Sequence, residues 1–103
     1  MTVKQSQASR LGPIFEACRD DDRAALIGYL PTGYPDVPTS VQAMVALVES
    51  GCDIVEVGVP YSDPGMDGPT IARATEAALH GGVRVRDTLA AVEAISEAAG
   101  ARW

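Results

Sequence analysis

The sequence predicts an α/β fold in which parallel strands lie side by side, and three observations carry that expectation. Two runs, residues 25–30 and 52–59, are apolar almost throughout, as in strands covered on both faces. The second begins about 28 residues after the first, the usual size of a strand–helix–strand unit with a right-handed crossover. Each run gives way to a loop rich in Pro and Gly, residues 31–35 after the first and 60–67 after the second. Loops that leave the carboxyl ends of neighbouring parallel strands share one rim, where ligands of such folds gather.

Taken in order, the chain opens on a polar stretch, residues 1–10, without an apolar leader core. Leu11, Ile14, Phe15 and Cys18 recur at three and four residues. That spacing makes a short amphipathic helix from about Ser9, with Pro13 tolerated in its first turn. Such a helix either closes the bottom of a barrel or lies on the surface. Residues 20–23 form a polar break before the first strand, which Pro31, Gly33 and Pro35 end. Asp36 caps a helix with the stripe Val37, Val41, Met44 and Val48 that stops at Gly51; Met44 reads as core. In the second strand Ile54, Glu56 and Gly58 share one face, and Val55, Val57 and Val59 the other. Asp67 suits a cap, and Pro69 the first turn, of a helix that runs to His80 and halts at Gly81 and Gly82. His80, the single histidine, reads as standing at the far end of that helix from the rim, outside catalysis. A last helix starts at Val85 with Leu89, Val92, Ile95 and Ala99 on one face; Arg84 and Arg86 at its amino end read as solvated.

Composition narrows the possible functions. With 103 residues the chain is one domain at most. A net charge of −6 argues against nucleic acid or an anionic membrane as partner. Cys18 and Cys52 share no metal-ligand spacing and sit in apolar patterns, so both read as reduced core residues of a cytoplasmic protein, with no metal expected. No apolar run approaches membrane-spanning length.

Two carboxylates then stand out. Glu56 interrupts an apolar strand. Either it is pressed into a desolvated setting, where a carboxyl group can both give and take a proton, or the strand lies at an edge and Glu56 points to water. Asp67 stands at the mouth of a helix, either as its cap or as a functional group on the rim; Asp63 reads as a turn residue.

The residues that carry both carboxylates, Glu56, Gly58, Pro60, Tyr61, Ser62, Asp63 and Pro64, followed by Asp67, Gly68, Pro69 and Ile71, closely resemble the signature of the tryptophan synthase alpha subunit. The resemblance reaches back over residues 25–36 and forward to about Gly100. It implies a (βα)8 TIM barrel, of which this chain would be the amino-terminal portion: two βα units, a preceding helix, and a further helix where a third strand should begin. It also implies cleavage of indole-3-glycerol phosphate to indole and glyceraldehyde 3-phosphate, a retro-aldol step in tryptophan biosynthesis. By that resemblance Glu56 is the general acid/base and Asp67 accepts a hydrogen bond from the indole nitrogen. Tyr29 and Ile71 line the indole pocket. Pro60, Ser62, Asp63 and Pro64 meet a beta subunit in a heterotetramer of two alpha and two beta chains. Pyridoxal phosphate is expected only in that beta subunit, and no cofactor in this chain. The family's phosphate site lies late in the barrel, outside these residues, so the isolated chain is expected to be inactive; the alternative function is a docking module for the beta subunit. Pro31 and Tyr34 stand where the family often has Thr and Asp, and Ala72 where Gln is common, which bears on loop closure more than on the chemistry.

Overall fold

A computed structural model describes residues 10–61 and 65–100. Its elements run α1 (Leu11–Asp20), β1 (Ile27–Pro31), α2 (Val37–Glu49), β2 (Ile54–Gly58), α3 (Pro69–His80) and α4 (Val85–Ala99). The two strands pair in parallel, with Tyr29 opposite Glu56 and Pro31 opposite Gly58. The expected α/β order is therefore present among the described residues.

Local chemistry explains most boundaries. Asp36 accepts a hydrogen bond from the Thr39 N–H at 2.8 Å, with Pro38 in the first turn behind it. Gly51, at φ 116°, takes the left-handed turn that releases α2 toward β2. At the other end of the chain α4 stops at Gly100, again left-handed. Its amino end is tied by the Arg84 N–H, which donates to Asp87 Oδ2 at 2.7 Å. Arg84 and Arg86 are exposed, as expected for solvated cations.

Both strands are shorter than the apolar runs that suggested them. β1 begins at Ile27 rather than residue 25 because Leu26 is held by Asp53: its N–H donates to Asp53 Oδ2 at 2.8 Å, and its carbonyl accepts from the Asp53 N–H at 2.9 Å. Pro31 is the last residue of β1 rather than its terminator. The end of a strand tolerates a missing N–H, and the ladder continues when the Thr32 N–H donates to the Gly58 carbonyl at 3.0 Å.

The core lies on one face of the sheet. Met44 from α2 is fully buried with Ala91 and Ile95 from α4, and Leu30, Val55 and Val57 pack against them. Met44 is core, as its position in the stripe implies. The expectation of strands covered on both faces is corrected: among the described residues the opposite face, carrying Ile27, Tyr29 and Glu56, stays exposed.

Two helices differ from their sequence reading. α4 buries Thr88, Ala91 and Ile95, whereas Leu89 is 54% exposed. The small Ala91 lets α4 approach Met44 closely, and that contact decides the face over the larger Leu89. α4, not α3, is thus the helix that lies beside α2 behind the sheet. α3 instead packs across the rim: a Cβ on Gly33 would stand 3.1 Å from Ala78 Cβ of α3 and 3.0 Å from Val83 Cβ. The carboxyl half of α3 therefore also borders the rim. His80 is set apart not by distance from it but by exposure, its ring 3.8 Å from Glu76 one turn back.

Candidate active site

The exposed face of the sheet carries the sequence-derived candidates. Alternation along β2 turns Val55 and Val57 to the core, which leaves Glu56 on the face opposite α2 and α4. Among the described residues the Glu56 side chain is exposed. Directly across the ladder stands Tyr29, 39% exposed.

Gly58 explains how Tyr29 lies. A Cβ at Gly58 would fall 2.5 Å from Tyr29 Oη, 2.9 Å from Tyr29 Cζ and 3.0 Å from the Pro31 Cα. No side chain fits there, so the phenol ring crosses from β1 over Gly58 toward the carboxyl end of β2. Burial raises the Tyr29 hydroxyl above its ordinary pKa, and the nearby charge of Asp67 adds to this, followed by Tyr61 and Glu56. Tyr29 thus pairs with Glu56 by register, and Asp67 and Tyr61 act electrostatically on its hydroxyl.

Asp67 corrects its own bland explanation. The cap of α3 is Gly68, whose carbonyl accepts from the Ala72 N–H at 2.9 Å, and no side chain caps this helix. Asp67 stands one residue earlier, half-buried, and its carboxylate is not spent on the helix end. Ile71, four residues on, is half-buried in the first turn of α3. Pro60 is half-buried just beyond β2. Ser62, Asp63 and Pro64 lie outside the described residues.

The neighbouring loop is fixed by a buried serine. The Gly33 N–H donates to Ser40 Oγ at 2.9 Å, and that hydroxyl donates to the Val37 carbonyl at 2.8 Å. Gly33 sits at φ 101°, where a side chain would be strained as well as crowded. Beside it Thr32 is fully buried with its hydroxyl unpartnered among the described residues.

Sequence reasoning missed a second polar cluster at the amino ends of the strands. Arg23 Nη1 donates to both Asp53 oxygens at 3.0 Å, and the Arg23 and Leu26 donors hold the Asp53 carboxyl below the usual carboxylate range. Cys18, buried, lies beside this pair; burial pushes its thiol up. α1 is thereby placed under the sheet, opposite the rim, although Leu11 and Phe15 remain exposed. An open cleft of about 420 Å³ lies between α1 and the segment that follows it, lined by Phe15, Cys18, Arg19, Asp22, Arg23 and Ala24 among others. It contains none of the candidate residues. An Asp at the head of the second apolar run was the one available signal for this clamp. Among the described residues no cluster of His, Cys, Asp or Glu could hold a metal ion, and no helix is long and apolar enough to cross a membrane.

Comparison with known proteins gives a consistent result. The family model described as tryptophan synthase alpha chain matches residues 15–101. The chain is 98% identical over 100 residues to the tryptophan synthase alpha chain of Mycobacterium avium, covering 97% of this chain and 37% of that relative. It superposes on a chain of Mycobacterium tuberculosis tryptophan synthase with a TM-score of 0.88 at 84% identity, over 93% of this chain and 37% of that one. At 33% identity the TM-score to the alpha subunit of Legionella pneumophila is still 0.80, over 87% of this chain and 34% of that chain. The chain spans little more than a third of the length of these relatives.

Proposed function

The chain belongs to the tryptophan synthase alpha chain family, and on that premise we propose that it supplies the first two βα units, and the acid/base pair, of a (βα)8 barrel that acts in tryptophan biosynthesis. The reaction is the cleavage of indole-3-glycerol phosphate to indole and glyceraldehyde 3-phosphate. One observation carries the assignment: Glu56 projects from the sheet face that no described helix covers, across from Tyr29, while Asp67 at the same rim is not used as a helix cap.

The chemistry divides between the two carboxylates. Breaking the bond between the indole ring and the glycerol chain requires the ring to accept the electron pair after a proton reaches its carbon. The adjacent glycerol hydroxyl must lose its proton as the aldehyde forms. Glu56 performs both transfers, one as acid and one as base. Asp67 accepts a hydrogen bond from the indole nitrogen and stabilises the positive charge that develops there. Tyr29 and Ile71 border the ring. The substrate phosphate is held by residues beyond this chain, at helix amino ends suited to anions.

The loop 60–64 serves as the contact with a beta subunit, which carries the pyridoxal phosphate and receives indole, in an assembly of two alpha and two beta chains. The signature residues Pro60 to Pro64 support that reading.

The test uses the full-length Mycobacterium avium alpha chain with the residues of this chain in the matching segment. Glu56→Gln should lower indole formation by about 10²- to 10⁴-fold while substrate binding persists. Retained turnover would remove Glu56 from the mechanism.

A further inference from the structure

We propose that Ser40 is a positioning residue for the reaction, its buried hydroxyl pinning the loop 32–36 at the point where the carboxyl ends of β1, β2 and α3 meet. The inference rests on the site reading above and adds to it a residue that touches neither substrate nor carboxylate.

The position of Ser40 calls for a reason. It stands in the apolar stripe of α2, three residues after Val37 and four before Met44, and is 1% exposed. Packing alone would favour an apolar side chain there, because a buried hydroxyl costs stability unless it is bonded. This hydroxyl is bonded in two directions. It donates to the Val37 carbonyl at 2.8 Å, within its own helix, and accepts from the Gly33 N–H at 2.9 Å, across to the rim loop. The first bond orients the oxygen, and the second holds the loop.

Gly33 passes that hold to both sides of the site. On one side the adjacent Thr32 N–H donates to the Gly58 carbonyl at 3.0 Å, two residues beyond Glu56 on β2. On the other, the Gly33 backbone is packed so closely that a Cβ would meet Ala78 Cβ of α3 at 3.1 Å and Val83 Cβ at 3.0 Å. α3 is a rod of about three turns. The seat of its carboxyl half therefore steers its amino end, which presents Ile71 and, just before the helix, Asp67. The buried Thr32 hydroxyl makes no hydrogen bond among the described residues, so the side-chain bond to Gly33 is the one from Ser40.

The experiment compares variants of the same full-length enzyme, with turnover expressed per folded molecule. Ser40→Ala removes both bonds and leaves the Gly33 N–H buried without its acceptor. Its kcat should fall by about 10- to 100-fold, the scale of misplacing reacting groups by up to about 1 Å. KM should change by less than about threefold, because the lost interaction is not one made with substrate. Ser40→Thr, whose hydroxyl can bond the carbonyl three residues back, should recover most of kcat. Met44→Ala, one turn further along α2, controls for stability and should keep the parent kcat. In the unaltered enzyme the Gly33 amide should exchange its hydrogen as slowly as that of Thr32. Rapid exchange at Gly33, or a normal kcat in folded Ser40→Ala, would overturn the proposal. Equal losses in Ser40→Ala and Met44→Ala would also overturn it, by reducing the effect to a general loosening of α2, and so would a Ser40→Thr enzyme no better than Ser40→Ala. Should Glu56→Gln leave turnover intact, the site reading itself fails. Should Glu56→Gln abolish turnover while Ser40→Ala keeps it, only the positioning role falls.

Discussion

The two faces of the sheet are built from the same alternating residues yet have opposite characters. Behind it, Leu30, Val55 and Val57 meet Met44, Ala91 and Ile95, and Gly28 lets Leu47 come within van der Waals contact of the strand. In front, Tyr29 and Glu56 stand exposed, and the Tyr29 ring lies over Gly58. One face spends its side chains on burial and the other keeps its polar groups available. The difference teaches that in this chain stability and chemistry are divided by strand alternation, one residue apart. A one-residue slip in register would exchange them.

If that division holds, changes behind the sheet should alter stability without altering chemistry. Met44→Ala in the full-length enzyme should cost about 3 kcal/mol, since a fully buried side chain leaves a cavity between two helices that can only partly close. Denaturant unfolding would measure it, with turnover per folded molecule unchanged. A loss of turnover in the folded fraction would mean that the two faces are coupled. Gly58→Ala tests the front face from the other side. Its Cβ must displace either the Tyr29 ring or the Pro31 backbone, so a destabilisation of about 1–3 kcal/mol should accompany a fall in kcat/KM. Normal activity in Gly58→Ala would show that the ring does not need its place over the strand.

Much of this division was legible in the sequence. The order of all six elements follows from local signals: the Asp36 cap, the glycines after α2 and α3, and the change from period two to period three and four. Alternation alone placed Glu56 opposite Val55 and Val57. What could not be read depends on contacts between distant segments. Leu89 is more apolar than Thr88, yet Thr88 is buried because a small Ala91 sets the approach of α4 to Met44. Asp67 has the composition of a cap, but Gly68 already supplies the extended residue before Pro69, so α3 starts one residue later. The exposure of Glu56 follows from which face the helices choose, and no property of residues 52–59 alone decides that.

The smallest effect should come from the far end of the strands, which belongs to neither face. Asp53 joins Arg23 and the Leu26 N–H beneath the sheet, and its carboxyl is held below its ordinary range chiefly by the Arg23 hydrogen bonds. A carboxyl group whose folded pKa is lowered contributes stability that is present above its unfolded value of about 4 and is lost as pH falls through the folded value. Asp53→Asn keeps an acceptor for Leu26 but removes the charge that Arg23 requires. The variant should therefore melt at a lower temperature than its parent at pH 7, and the gap should close steadily as the medium is acidified below pH 4. Because Arg23 is half exposed, the gap at pH 7 should be smaller than either change above. KM for the substrate and the pH profile of kcat should stay those of the parent, since the clamp lies opposite the rim. A gap that persists at low pH would instead assign the role of Asp53 to its hydrogen bond with Leu26. A shifted pH profile would show that the amino ends of the strands reach the carboxylates at the rim.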